Sequence, residues 1–220
     1  MDSSAARQAI FSRIRTARNA SPQPTQSELD AVQAYLRSGS QGPRPNIGSD
    51  LLQRFTEQAV RMSDTVAEVA SLDAVPMAVA TYLDSIGVAK SAIAWNTLTA
   101  LPWAAAGLDI AFRPPVNEDL VGITGSFCAV AETGTLMMLS GVDTYASASL
   151  LPETHIALVF ESRIVGAMED AFALAISERG ELPRATNFIS GPSRTGDIEQ
   201  TIVLGAHGPY RVHVIIVRGV

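Results

Sequence analysis

The chain is poor in the residues from which redox and metal centres are built. It has one cysteine, Cys128, and three histidines in 220 residues. A single thiol makes no internal disulfide and cannot supply a four-cysteine iron–sulfur or zinc site. No His-x-Glu, His-Glu-x-x-His or Cys-x-x-Cys spacing occurs, so no resident metal or cofactor is expected. Cys128 lies in the apolar run Phe127-Cys128-Ala129-Val130, the setting of a buried, inert thiol. Charge is sparse and of the wrong sign for general nucleic-acid binding: 17% of residues are charged and the formal net charge is −6. The arginines at 7, 13, 15 and 18 read as the solvated face of a helix. No apolar run approaches the roughly 18 residues that span a bilayer. The first twenty residues carry no signal-peptide pattern. These absences lead to the expectation of a soluble, cytoplasmic chain with no nucleic-acid partner.

What is present is a hydrophobic, patterned sequence. Apolar residues make up 47%, which suits one substantial core. Residues 4–18 and 28–37 read as helices, followed by a turn-rich linker with Gly42, Pro43 and Pro45. A boundary is therefore expected near Gly48, with residues 1–48 as a helical appendage and 49–220 as the main domain. Within that domain, helices are predicted over 51–70, 75–85, 98–106 and 163–177. The last carries an apolar stripe of Ile164, Val165, Met168, Phe172 and Ile176. Strands are predicted at 91–95, 120–124, 128–131, 135–140, 155–160, 187–190, 201–204 and 212–217. Apolar strands alternating with amphipathic helices predict an α/β fold with a mostly parallel or mixed sheet.

Polar chemistry is concentrated in a few Gly-bearing loops. Gly191-Pro192-Ser193-Arg194-Thr195-Gly196-Asp197-Ile198-Glu199-Gln200 packs two hydroxyls, one cation and two carboxylates between apolar segments. Arg194 suits a carboxylate or phosphate, and glycine lets backbone N–H groups converge on an anion. Such a loop also reads as a solvated turn whose charges pair with each other. Ala131-Glu132-Thr133-Gly134-Thr135 places a carboxylate at a strand end, able to act as acid, base or nucleophile. It equally suits a turn in which Glu132 accepts backbone hydrogen bonds. Gly205-Ala206-His207-Gly208-Pro209 offers a proton carrier at His207. Thr124-Gly125-Ser126 adds backbone donors but matches neither the dinucleotide-binding nor the P-loop spacing. His155 and His213 fall in strands and read as structural.

Taken in order, Ile123-Thr124-Gly125, Ala131-Glu132-Thr133-Gly134-Thr135-Leu136, Leu151-Pro152-x-x-His155-Ile156, Ser190-Gly191-Pro192-Ser193-Arg194-Thr195-Gly196-Asp197-Ile198-Glu199 and Leu204-Gly205-Ala206-His207-Gly208-Pro209 resemble the lactate utilization protein C, or LUD domain, family. The resemblance covers roughly residues 50–220. It departs modestly at Gly196 and Ala206, where the family often has Ala and Val. It implies a three-layer α/β sandwich related to ribose-5-phosphate isomerase, glucosamine-6-phosphate deaminase and class I CoA-transferases. It also implies a role in oxidising L-lactate to pyruvate beside iron–sulfur-containing partner subunits, with this chain catalytic or acting as a non-catalytic assembly or regulatory subunit. The implied site holds a small carboxylate or phosphate on Thr124, Gly125, Thr133, Gly134, Ser193, Arg194, Thr195, Asp197 and Glu199, with Glu132 and His207 as catalytic, proton-transferring groups. Glu132-Thr133-Gly134 is also similar to the Glu-Asn-Gly loop of class I CoA-transferases, with Thr in place of Asn. That leaves a stand-alone CoA-transferase-like or sugar-phosphate enzyme as the alternative.

Overall fold

In the computed structural model, residues 4–19, 23–39, 41–196 and 203–219 are described. The chain divides into two compact units, Met1–Pro43 and Arg44–Val220. The first holds α1 (Ser4–Ala17) and α2 (Gln26–Ser38). A capping box starts α2. The Glu28 backbone N–H donates to Thr25 Oγ1, and the Thr25 N–H donates to the Glu28 carboxylate at 2.7 Å.

The second unit is built on a six-stranded sheet. Its strands are β1 (Thr65–Val69), β2 (Ser91–Ala94), β3 (Asp109–Ala111), β4 (Val121–Thr124), β7 (Thr154–Phe160) and β12 (Arg211–Val217), in the order β1-β12-β7-β4-β2-β3. Every neighbouring pair is parallel. The long strands β7 and β12 pair from Thr154↔Arg211 to Phe160↔Val217 and are almost wholly buried. Their near-continuous apolar sequence is what a parallel strand covered on both faces requires. A second sheet, ordered β8-β5-β6-β9, contains β5 (Cys128–Val130), β6 (Thr135–Leu139), β8 (Ile164–Val165) and β9 (Thr186–Ile189). Here β5–β6 and β6–β9 run antiparallel and β5–β8 parallel. A short ribbon pairs β10 (Arg194–Thr195) with β11 (Val203–Leu204).

Three helices complete this unit: α3 (Leu51–Arg61), α4 (Val75–Ser85) and α5 (Met168–Arg179). Asp50 caps α3 by accepting the Gln53 N–H at 2.9 Å. The main core joins α3, α4, the main sheet and the inner face of the second sheet. A smaller core of Phe127, Cys128, Val130, Met137, Ala171 and Ala175 lies between the second sheet and α5. The result is a three-layer α/β arrangement around a mostly parallel sheet. Among the described residues no helix is long and apolar enough to cross a membrane.

Three element expectations are corrected. The segment read as one helix over 51–70 is α3 followed by β1. Ser63, at φ 77°, takes the left-handed conformation between them, so the helix stops without glycine or proline. The helix read over 163–177 starts only at Met168, because Ile164 and Val165 form β8. Its expected stripe is not its buried face: Phe172 is 36% and Ile176 48% exposed, whereas Ala171 and Ala175 are fully buried. The segment 98–106 is two 3₁₀ turns, Asn96–Leu98 and Trp103–Ala106, rather than one short helix.

Candidate functional site

The polar loops gather around the end of α3. There Met62-Ser63-Asp64 makes the turn into β1. The Asp64 N–H donates to the Ala59 carbonyl at 3.0 Å, and the Ser63 N–H to that of Val60. Asp64 is buried, and its Oδ1 has no hydrogen-bond partner among the described residues. Burial raises its carboxyl from 3.8 to about 7. Gln58, one turn earlier on α3, is also buried.

Arg194 reaches this turn from β10. Its guanidinium donates to Ser63 Oγ and, at 3.4 Å, to the Met62 carbonyl. No carboxylate among the described residues pairs with it. The loop carrying it packs closely: a Cβ on Gly191, at φ 84°, would lie 2.2 Å from the Met62 carbonyl oxygen. The next loop closes against the same segment. The Ser193 N–H donates to the Pro209 carbonyl, and the Gly205 N–H to the Ser193 carbonyl, both at 2.9 Å. Gly208 sits against the Ser193 side chain. Thr195 lies in β10 beside Val203. His207, in this second loop, is exposed and makes no hydrogen bond among the described residues. Asp197 and Glu199 lie outside the described residues.

The Glu132-Thr133-Gly134 turn approaches the same helix from another side. A Cβ on Gly134, at φ 68°, would lie 2.4 Å from the Ala59 nitrogen. Thr133 and Thr135 share a hydroxyl hydrogen bond of 2.8 Å. Glu132 is half-buried and sits toward β8: its backbone N–H donates to the Gly166 carbonyl at 3.0 Å, and its charge acts on Arg44. Two strands, β5 and β6, lie between β8 and the β9 strand that leads toward Arg194. Glu132 makes no hydrogen bond or ion pair with Arg194 or His207.

Thr124 and Gly125 lie elsewhere, at the C-terminal end of β4. Thr124 is fully buried, its hydroxyl 2.8 Å from His155 Nε2. Burial lowers His155 from 6.5 to about 3, which keeps the ring neutral. Gly125 lines a cleft of about 870 Å³ at that edge of the sheet. The structure thus separates the sequence-read residues into three places: the Arg194 cluster by the α3–β1 turn, the Glu132 turn on the side of β8, and the end of β4. Sequence reasoning missed Ser63 and Asp64, because the run around them reads as helix. A Ser-Asp pair directly before the alternating Thr65-Val66-Ala67-Glu68-Val69 was the available signal.

The LUD domain model matches residues 33–217. Lactate utilization protein C of Bacillus licheniformis is 40% identical over 101 residues, covering 44% of this chain and 42% of that protein. The proteins of the same name from Geobacillus sp. and Bacillus subtilis are 43% and 42% identical over 100 residues, with the same coverage. The matched stretch is therefore less than half the length of each relative. A crystal structure of a DUF162 family protein from Deinococcus radiodurans superposes with a TM-score of 0.61 at 26% identity, covering 80% of this chain and 100% of that one.

Proposed function

The chain belongs to the LUD domain family, and from that premise we propose that it serves L-lactate utilization by binding a small carboxylate at Arg194. The carrying observation is the placement of that guanidinium. It is exposed, it has no carboxylate partner among the described residues, and Ser63 Oγ and the Met62 carbonyl hold it in place. A guanidinium oriented by neutral acceptors keeps its charge available for an incoming anion. Ser193 and Thr195 adjoin it in the chain, and the proposal keeps their hydroxyls as secondary contacts to the same anion. The same geometry accepts a phosphate. His207, on the adjoining loop, is the group in this proposal that exchanges a proton with the bound acid. Oxidation of lactate to pyruvate releases two electrons and two protons, and the proposal assigns the electrons to iron–sulfur-containing partner subunits. This chain then contributes substrate or product binding.

Calorimetric titration of lactate, pyruvate and inorganic phosphate into wild type and Arg194→Ala tests the binding claim. Loss of a charge-assisted pair in a partly solvated site is worth about 1.5–3 kcal/mol, a weakening of tenfold or more. Equal affinity of both proteins for all three ligands removes Arg194 from the site. Deleting the gene in its native host tests the physiological claim: growth on L-lactate should fail and return with the wild-type gene.

A further inference from the structure

The cleft at the far edge of the main sheet is a different kind of place. Strand β2 leads outward to β3, whereas β4 leads the other way to β7, although β2 and β4 are neighbours. In parallel α/β sheets such a reversal opens a crevice at the C-terminal strand ends, and ligands collect there. Trp95 follows β2, Gly125 and Ser126 follow β4, and all three line the cleft with Phe160 at the end of β7. The volume of about 870 Å³ is many times that of a three-carbon acid. It falls within the roughly 300–1,000 Å³ of sites that hold drug-sized ligands.

The walls state the chemistry. Leu101, Phe160 and Leu182 present apolar surface to the cleft, and the buried Trp95, Leu98 and Phe127 lie beneath it. The indole N–H of Trp95 is committed to the Tyr145 carbonyl at 3.0 Å, which fixes the ring. Of the two arginines in the lining, Arg163 is engaged three times over: Nε donates to the Phe127 carbonyl, and the guanidinium grips Glu178 in bidentate fashion. It also stacks over the Phe127 ring at 4.7 Å. Asp143, Glu178 and Glu181 outnumber Arg163 and Arg179 along the lining, and α5 ends beside them at Arg179. A helix C-terminus carries partial negative charge. The site is therefore unfavourable to an anion, and with Glu178 committed to Arg163 and Asp143 to Asn96 it holds little free charge for a cation. We infer that this cleft binds a second ligand class: an uncharged, largely apolar organic molecule that packs against Leu101, Phe160 and Leu182.

Matched pyrene probes test this on the full chain: pyrenemethanol, pyrenecarboxylate and pyrenemethylammonium, read by energy transfer from tryptophan. The neutral probe should bind at least tenfold tighter than the carboxylate or the ammonium. Thr97→Phe at the exposed mouth and Leu182→Asp in the apolar wall should each weaken the neutral probe at least tenfold, with unchanged thermal unfolding. Arg194→Ala should bind it as wild type does, so failure here and failure of the lactate-site proposal are distinguishable. Binding of either charged probe as tight as the neutral one, or two folded lining variants with undiminished affinity, overturns the inference.

Discussion

Two glycines mark where the chain can tolerate no side chain. Gly134 and Gly191 both have positive φ, and a Cβ on either would meet α3-end backbone at 2.4 and 2.2 Å. Strain in that conformation alone costs about 1–3 kcal/mol, and the overlap with immobile backbone adds to it. Gly134→Ala and Gly191→Ala should therefore each lower stability by about 3 kcal/mol or more in urea denaturation. Gly196 is the control, because it has ordinary φ and open space around its Cβ position. Gly196→Ala should leave the midpoint unchanged, and a similar loss there would show that the first two results reflect something other than close packing. These glycines were legible as loop residues but not as contacts. A sequence shows that Gly134 permits a turn; only the fold shows that Ala59 is what approaches it.

At the scale of elements, the sequence located most strands because buried parallel strands are apolar throughout. It misplaced the end of α3, since a left-handed serine is a rare stop signal. It also chose the wrong face of α5. Hydrophobicity favours Phe172 and Ile176, but the neighbouring sheet already presents Cys128, Val130 and Met137. That sheet leaves room for alanine methyls alone, so Ala171 and Ala175 face inward and Phe172 rests on Phe188 with ring centroids 5.5 Å apart. Packing volume overrides side-chain hydrophobicity when two elements approach closely. The consequence is an inverted substitution pattern. Ala175→Leu should destabilise by about 1–3 kcal/mol through overpacking, whereas Ile176→Ala, at 48% exposure, should cost well under half of that. Thermal melts of the two variants decide it, and the opposite ranking would restore the stripe as the core face.

For the molecule as a whole, the sequence carried the family and the α/β class but not the distribution of its polar residues: Thr124 lies level with Val66 at the start of β1, yet across β12 and β7 from it. Topology creates that separation, because the strand order sets β12 and β7 between β1 and β4. Topology also buries titratable groups, three of which bear on stability between about pH 4 and 8. His155 and His213 are lowered by burial from 6.5 to about 3 and about 4, while Asp64 is raised from 3.8 to about 7. A histidine held neutral in the native state contributes stability that is present above about 6.5 and is lost as pH falls toward its folded value. Asp64 acts in the opposite sense. Between about 4 and 7 the native state holds its proton and the unfolded state does not, so stability falls as pH rises through that window. Together the three give greatest stability near pH 6.5, with a net loss of one proton's slope on the acid side down to about 4. Asp64→Asn removes the opposing group. The variant should unfold at higher urea than wild type at pH 8, by up to a few kcal/mol at about 1.4 kcal/mol per pH unit. At pH 4 the two proteins should differ little, and the acid-side slope between 4 and 6.5 should steepen in the variant. Urea titrations of both proteins at pH 4, 6.5 and 8 make the comparison. If Asp64→Asn is no more stable than wild type at pH 8, the carboxylate is ionised and held by a partner in the native protein, and the α3–β1 turn beneath Arg194 carries a fixed negative charge.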